Sequence, residues 1–241
     1  MLARIIALVL LAGAVACPAL GETIPAGGRQ AGIGETALVY RTKEKADADF
    51  TTYTDVVTRG RWRGIEVYRI EMGRQTVILR AADLKPLLAE ETGADGSLVK
   101  RIECDDEGVF FDIPARRLKK RIRIEGEYCL ADALFHYLRA FPFGNGREIV
   151  LDLLMDGRRG STVGKFRLYV KEIGREEVRV PAGVFDCYQL EMGVPGLAGL
   201  FAGKYKYYFW HTVEWPHYLV KYYDKPTGGL TELVEAPPAR S

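Results

Sequence analysis

His211, Glu214 and His217 fall in the run His-Thr-Val-Glu-Trp-Pro-His, two imidazoles and a carboxylate within seven residues. These are donor types that zinc accepts. The spacing is not that of the helical His-Glu-x-x-His motif, and Trp215-Pro216 makes the stretch a turn between strands. It reads as a solvated hairpin loop, with no metal site. The third histidine, His136, lies in a stretch of helical spacing and reads as a helix-face residue rather than a catalyst. Gly199–Lys204 (GLFAGK) faintly resembles a phosphate-binding loop. It is one residue short, lacks a hydroxyl residue after the lysine and leads into a strand, so that reading is rejected. Serine occurs only at positions 97, 161 and 241, none in a Gly-x-Ser-x-Gly elbow. Carboxylates are plentiful, but nothing selects an acid–base pair. No catalytic residue and no cofactor is expected.

The unusual stretch is apolar rather than charged. Gly193–Gly203 (GVPGLAGLFAG) holds four glycines, costly to order, yet carries Leu197, Leu200 and Phe201, which water does not favour. Such side chains need cover from the core, a membrane or a ligand. We take Leu197, Leu200 and Phe201 as the ligand-binding candidates. Arg116, Arg117, Lys119, Lys120, Arg121 and Arg123 form a basic run whose alternation places most of it on one strand face, where acidic neighbours can neutralise it. With 34 basic against 32 acidic residues in 241, the chain lacks the excess of a nucleic-acid binder.

The elements that must position these residues are mostly strands. Period-two alternation recurs near 36–42, 50–58, 62–71, 74–80, 87–92, 98–104, 108–113, 117–125, 148–155, 165–172, 175–180, 184–192, 204–211, 217–223 and 229–235. Turn residues such as Arg59-Gly60, Asp105-Asp106-Glu107-Gly108 and Thr227-Gly228-Gly229 separate them. This predicts a mainly β protein built on a curved antiparallel sheet, sandwich or barrel. One stretch differs: Leu134, Phe135, Leu138 and Phe141 recur at three- and four-residue steps, predicting a helix over 131–141, capped by Asp132 and ended by Pro142. Its apolar face is expected to pack into the concave side of the sheet. In the aromatic strands around KYKYYFWH (204–211) and Tyr218, Tyr222 and Tyr223, cross-strand packing is expected.

The N-terminus carries the one strongly apolar run. Arg4, the run from Ile5 to Ala16 and the small residues at Ala19 and Gly21 read as a signal peptide over 1–21. A flexible leader (22–34), a single domain (35–235) and a short tail (236–241) follow, with no transmembrane helix in the mature chain. Ala14-Val15-Ala16-Cys17 loosely resembles a lipobox, which makes an acylated Cys17 the alternative start. The expected location is the periplasm or another exported site. Cys104, Cys129 and Cys187 allow at most one disulfide.

Together, Asp132–Pro142 (DALFHYLRAFP), Val180–Glu191 (VPAGVFDCYQLE), Tyr207–Trp210, Pro216–Lys221 (PHYLVK), Leu230–Leu233 and the bend Ala82–Pro86 resemble the bacterial envelope family DUF3108 across the whole mature domain. The resemblance implies an incomplete antiparallel barrel with one α-helix packed in or across it. That shape is similar to the Lol-type lipoprotein carriers, which hold acyl chains in a concave apolar cavity; it carries over no catalytic residues. The apolar 194–202 loop departs from the family pattern. The leading expectation is non-enzymatic binding of an apolar or lipid-like ligand in the concave face. The alternative is a structural or assembly factor that holds envelope proteins, and the third reading is an envelope hydrolase.

Overall fold

The computed structural model describes residues 32–156, 163–195 and 205–236. The alternating stretches become strands β1 (Thr36–Lys43), β2 (Thr51–Trp62), β3 (Ile65–Met72), β4 (Gln75–Arg80), β5 (Pro86–Thr92), β6 (Leu98–Asp105), β7 (Gly108–Ile113) and β8 (Leu118–Ile122). After a helical stretch come β9 (Cys129–Leu130), β10 (Glu148–Asp156), β11 (Val163–Val180), β12 (Gly183–Gly193), β13 (Tyr207–Thr212), β14 (Leu219–Asp224) and β15 (Gly229–Glu235). The stretches 165–172 and 175–180 are one strand, β11. A register shift between Glu172 and Gly174 lets it bend without ending. The two-residue β9 is too short to leave an alternation signal.

All fifteen strands join one sheet in the order β8-β7-β6-β5-β4-β3-β2-β1-β15-β14-β13-β12-β11-β10-β9. Two antiparallel meanders leave a common centre, where β15 pairs with β1 with Arg41 opposite Glu232. Short turns suffice for such pairings, whereas the parallel pairing of β9 with β10 needs the long crossover through the helical stretch. The edges are β8 and β9. Inward-facing residues from both meanders meet in one core cluster with the helical stretch, so the sheet curls around it. Val67, Ile78, Leu87 and Leu88 form a small second cluster, covered by Trp62, over which the Arg63 guanidinium sits at 4.2 Å.

The turns obey local chemistry. Gly108 closes the Asp105–Gly108 turn at φ 133°, a left-handed conformation. A β-carbon there would collide with the Ile122 carbonyl. On edge strand β8 the basic run is matched by acids: Lys119 lies 3.2 Å from Asp112 and Arg121 2.7 Å from Asp105. Lys120 shares the inward phase of Leu118 and Ile122, yet it is exposed because nothing packs beyond this edge. Charged side chains there discourage a further strand from adding. Cys104, Cys129 and Cys187 are buried and form no disulfide. Burial pushes the Cys104 and Cys187 thiols up to about 12, which keeps them protonated and inert. Among the described residues, no helix is long and apolar enough to cross a membrane.

Candidate functional site

The helical stretch consists of a 3-10 turn (Ala131–Ala133), one α-helical turn α1 (Leu134–Tyr137) and a second 3-10 turn (Leu138–Ala140). Leu134, Phe135, Leu138 and Phe141 are all buried, on the face their spacing predicts. Phe135 packs edge-on against Phe209 of β13 at 6.0 Å and against Tyr222 of β14 at 5.1 Å. This stretch stops the hollow of the curled sheet.

Its polar residues are buried as well. Asp132, His136 and Arg139 follow one another at four- and three-residue steps and so share a side, which faces the other meander. Asp132 makes no cap hydrogen bond, which corrects the expectation that it starts the helix. It instead accepts from Lys100 Nζ of β6 at 2.5 Å and from Gln75 Nε2 of β4. Lys100 also lies 3.8 Å from Asp156, which Arg116 approaches to 3.1 Å. Burial pulls the Lys100 ammonium down, but Asp132 and Asp156 outweigh it and hold the group above the ordinary lysine range. At the far end, Arg139 Nε donates to the Pro216 carbonyl at 3.1 Å and Nη1 to Thr36 Oγ1 at 3.3 Å. Burial lowers Arg139 to about 10, so it stays charged at neutral pH. Between them, His136 Nε2 lies 3.2 Å from Asp55 of β2. The stretch is thus clamped by polar contacts to β1, β2, β4 and β6 and by apolar packing to β13 and β14.

The expected solvated loop holds for the exposed Glu214 and Trp215 but not for the histidines, His211 being buried at the end of β13 and His217 half-buried. His211 is fully buried, and the two rings lock the turn reciprocally. His211 Nδ1 donates to the His217 carbonyl and His217 Nδ1 to the Thr212 carbonyl, each at 2.8 Å. Phe143 packs on both rings, at 5.8 Å and 4.9 Å. Among the described residues, no three His, Cys, Asp or Glu side chains group as metal ligands. Burial lowers His211 from 6.5 to about 3. The group is therefore neutral in the fold and protonates first in the unfolded chain. Its contribution is complete above pH 6.5 and drains away as pH falls toward 3, at up to about 1.4 kcal/mol per unit. Denaturant titrations between pH 7.5 and 4 should show wild type losing stability faster than His211→Asn. Parallel pH profiles would refute a neutral, buried His211.

Among the described residues, open space remains at the rim of the concave face. A cavity of about 630 Å³ is lined by the ends and turns of β1 to β5. Met72 and Tyr53 form an apolar wall, Tyr53 stacking on Tyr40 at 5.6 Å. Thr42, Thr51, Thr52 and Gln75 add neutral polar groups, while Lys43, Arg74, Glu44, Asp49 and Glu91 add charge. Gln75 joins the cavity wall to the clamp, because its amide donates to Asp132. Thr42 is held from behind by a 2.9 Å hydroxyl contact with Thr231.

Leu197, Leu200 and Phe201 lie outside the described residues, as do Cys17 and the signal segment. The strands flanking 194–206 are described, and register places their ends. Lys43 pairs with Leu230, Gly229 with Asp224, Asp224 with Tyr207 and Tyr207 with Met192, so that connection leaves from the same rim as the cavity. The sequence reading did not find the cavity or the clamps. The signal for the clamps was phase: Lys100 alternates with Ile102 and Cys104, Gln75 with Val77 and Leu79, and Asp55 with Val57, polar residues in step with core positions.

Fold and site together define an open, β-barrel-like protein whose hollow is stopped by a clamped helical stretch, with a mixed polar and apolar cavity at its rim. The chain belongs to the family described as protein of unknown function (DUF3108), whose model matches residues 27–229. Among solved structures it is similar to a β-barrel-like protein of the DUF1849 family from Brucella abortus, at 10% identity and a TM-score of 0.43 over 83% of this chain and 95% of that one. It is also similar to a protein with a YmcC-like fold from Bacteroides fragilis, at 13% identity and a TM-score of 0.26 over 84% and 94% of the two chains. No curated protein sequence matches it.

Proposed function

We propose that this protein is exported to the bacterial envelope and there binds an amphipathic, lipid-like ligand without catalysing a reaction. The observation that carries the reading is the rim cavity of about 630 Å³, a volume typical of small-molecule sites, with Tyr53 and Met72 on one wall and charged groups around them. The deeper hollow is filled by Leu134, Phe135 and Leu138, so the ligand sits at the rim rather than along the whole concave face. Leu197, Leu200 and Phe201, which lie outside the described residues, are kept as proposed further apolar contacts on their sequence pattern alone. Export rests on the N-terminal signal pattern. The non-enzymatic reading draws support from the histidines, because His136 is enclosed in the core while His211 and His217 are engaged with backbone carbonyls.

Titration with a fluorescent fatty acid tests this reading. Binding is expected, and Thr51→Trp, which places bulk in the cavity from an exposed position opposite Thr42, should weaken it at least tenfold. Leu200→Ser with Phe201→Ser should also weaken it while leaving circular dichroism nearly unchanged. Absence of probe binding would transfer the chain to the second reading, a structural or assembly factor for envelope proteins. One observation favours that alternative: β9 covers only Leu153 and Leu154 of β10, and a groove of about 210 Å³ runs beside the uncovered Ile149–Asp152 edge.

A further inference from the structure

Resting on the rim cavity as the ligand site, we infer that its ligand carries a zwitterionic headgroup, an ammonium beside a phosphate diester as in phosphoethanolamine lipids. Charges of both signs surround the one cavity. Arg74 and Lys43, whose Nζ also donates to the Ala46 carbonyl at 2.7 Å, contribute cations, and Glu44 and Asp49 contribute carboxylates. An anionic headgroup would satisfy the first set and be repelled by the second, and a cationic one would do the reverse. An uncharged polyol would displace water from both sets and return charge to neither. A headgroup with both charges a few ångströms apart pairs each set, its phosphate taking charge-assisted hydrogen bonds from lysine and arginine and its ammonium giving them to carboxylates.

The apolar residues extend the match. Met72 and Tyr53 form the wall beside these charges, where the first methylenes of an acyl chain would lie.

Isothermal titration with three soluble amphiphiles below their micelle concentrations tests the inference: dihexanoylphosphatidylethanolamine, dihexanoylphosphatidylglycerol and octyl glucoside. The zwitterionic lipid should bind at least tenfold more tightly than either of the others. Lys43→Glu combined with Arg74→Glu should erase that preference, and Glu44→Gln with Asp49→Asn should narrow it toward the anionic lipid. All four positions lie on the rim, and circular dichroism checks each variant's fold. Equal or tighter binding of the phosphatidylglycerol or the glucoside would overturn the headgroup assignment while leaving ligand binding at the rim intact. Failure of all three amphiphiles and of the fatty-acid probe would overturn both.

Discussion

Lys100→Met should destabilise the fold by about 3–5 kcal/mol, a large share of the 5–15 kcal/mol available to a typical domain. The lysine is 3% exposed and lies 2.5 Å from Asp132, itself 1% exposed. Methionine keeps much of the volume but leaves the Asp132 carboxylate in the core with only the Gln75 amide to answer it. A lone buried charge costs more than the intact pair contributes, so the single variant should be worse than the double variant Lys100→Met/Asp132→Leu. Asp156 keeps Arg116 at 3.1 Å in both variants, which confines the comparison to the pair. Urea unfolding at pH 7 measures the two. A Lys100→Met protein within about 1 kcal/mol of wild type would mean that the pair does not hold the helical stretch.

Leu138→Asp should prevent folding altogether. Leu138 is fully buried on the apolar side of the helical stretch. Deleting its packing costs ~3 kcal/mol, and a carboxyl group forced into that space adds a desolvation cost of similar order. Leu138→Ala separates the terms: it should still fold, with a stability loss of about 2–4 kcal/mol. Near-ultraviolet circular dichroism and thermal melting report both variants, and an unchanged melting temperature for Leu138→Asp would place the residue outside the core.

The two substitutions mark what the sequence does and does not disclose. Leu138 was legible because a helix that buries one face must repeat apolar residues at three- and four-residue steps. The strands were legible for a similar reason, since one face of the curled sheet meets a core and the other does not. Asp132 was misread because an aspartate at a helix start ordinarily caps it, and its true partner lies 32 residues away on another strand. The turn's Glu214 and Trp215 are solvated as their composition implies, but its two histidines are not, because Phe143 and the Thr212 and His217 carbonyls are brought to them from outside the local pattern. The rim cavity was beyond reach: Thr42, Tyr53, Met72, Gln75 and Glu91 come from five strands, and no local spacing brings them together.

Native mass spectrometry of the protein purified from its own envelope tests ligand binding at the rim most directly. Wild type should retain a bound species of phospholipid mass, and Thr51→Trp, folded but with the cavity filled, should be bare. A wild-type protein that flies without any adduct, or an adduct that Thr51→Trp keeps in full, would contradict the account.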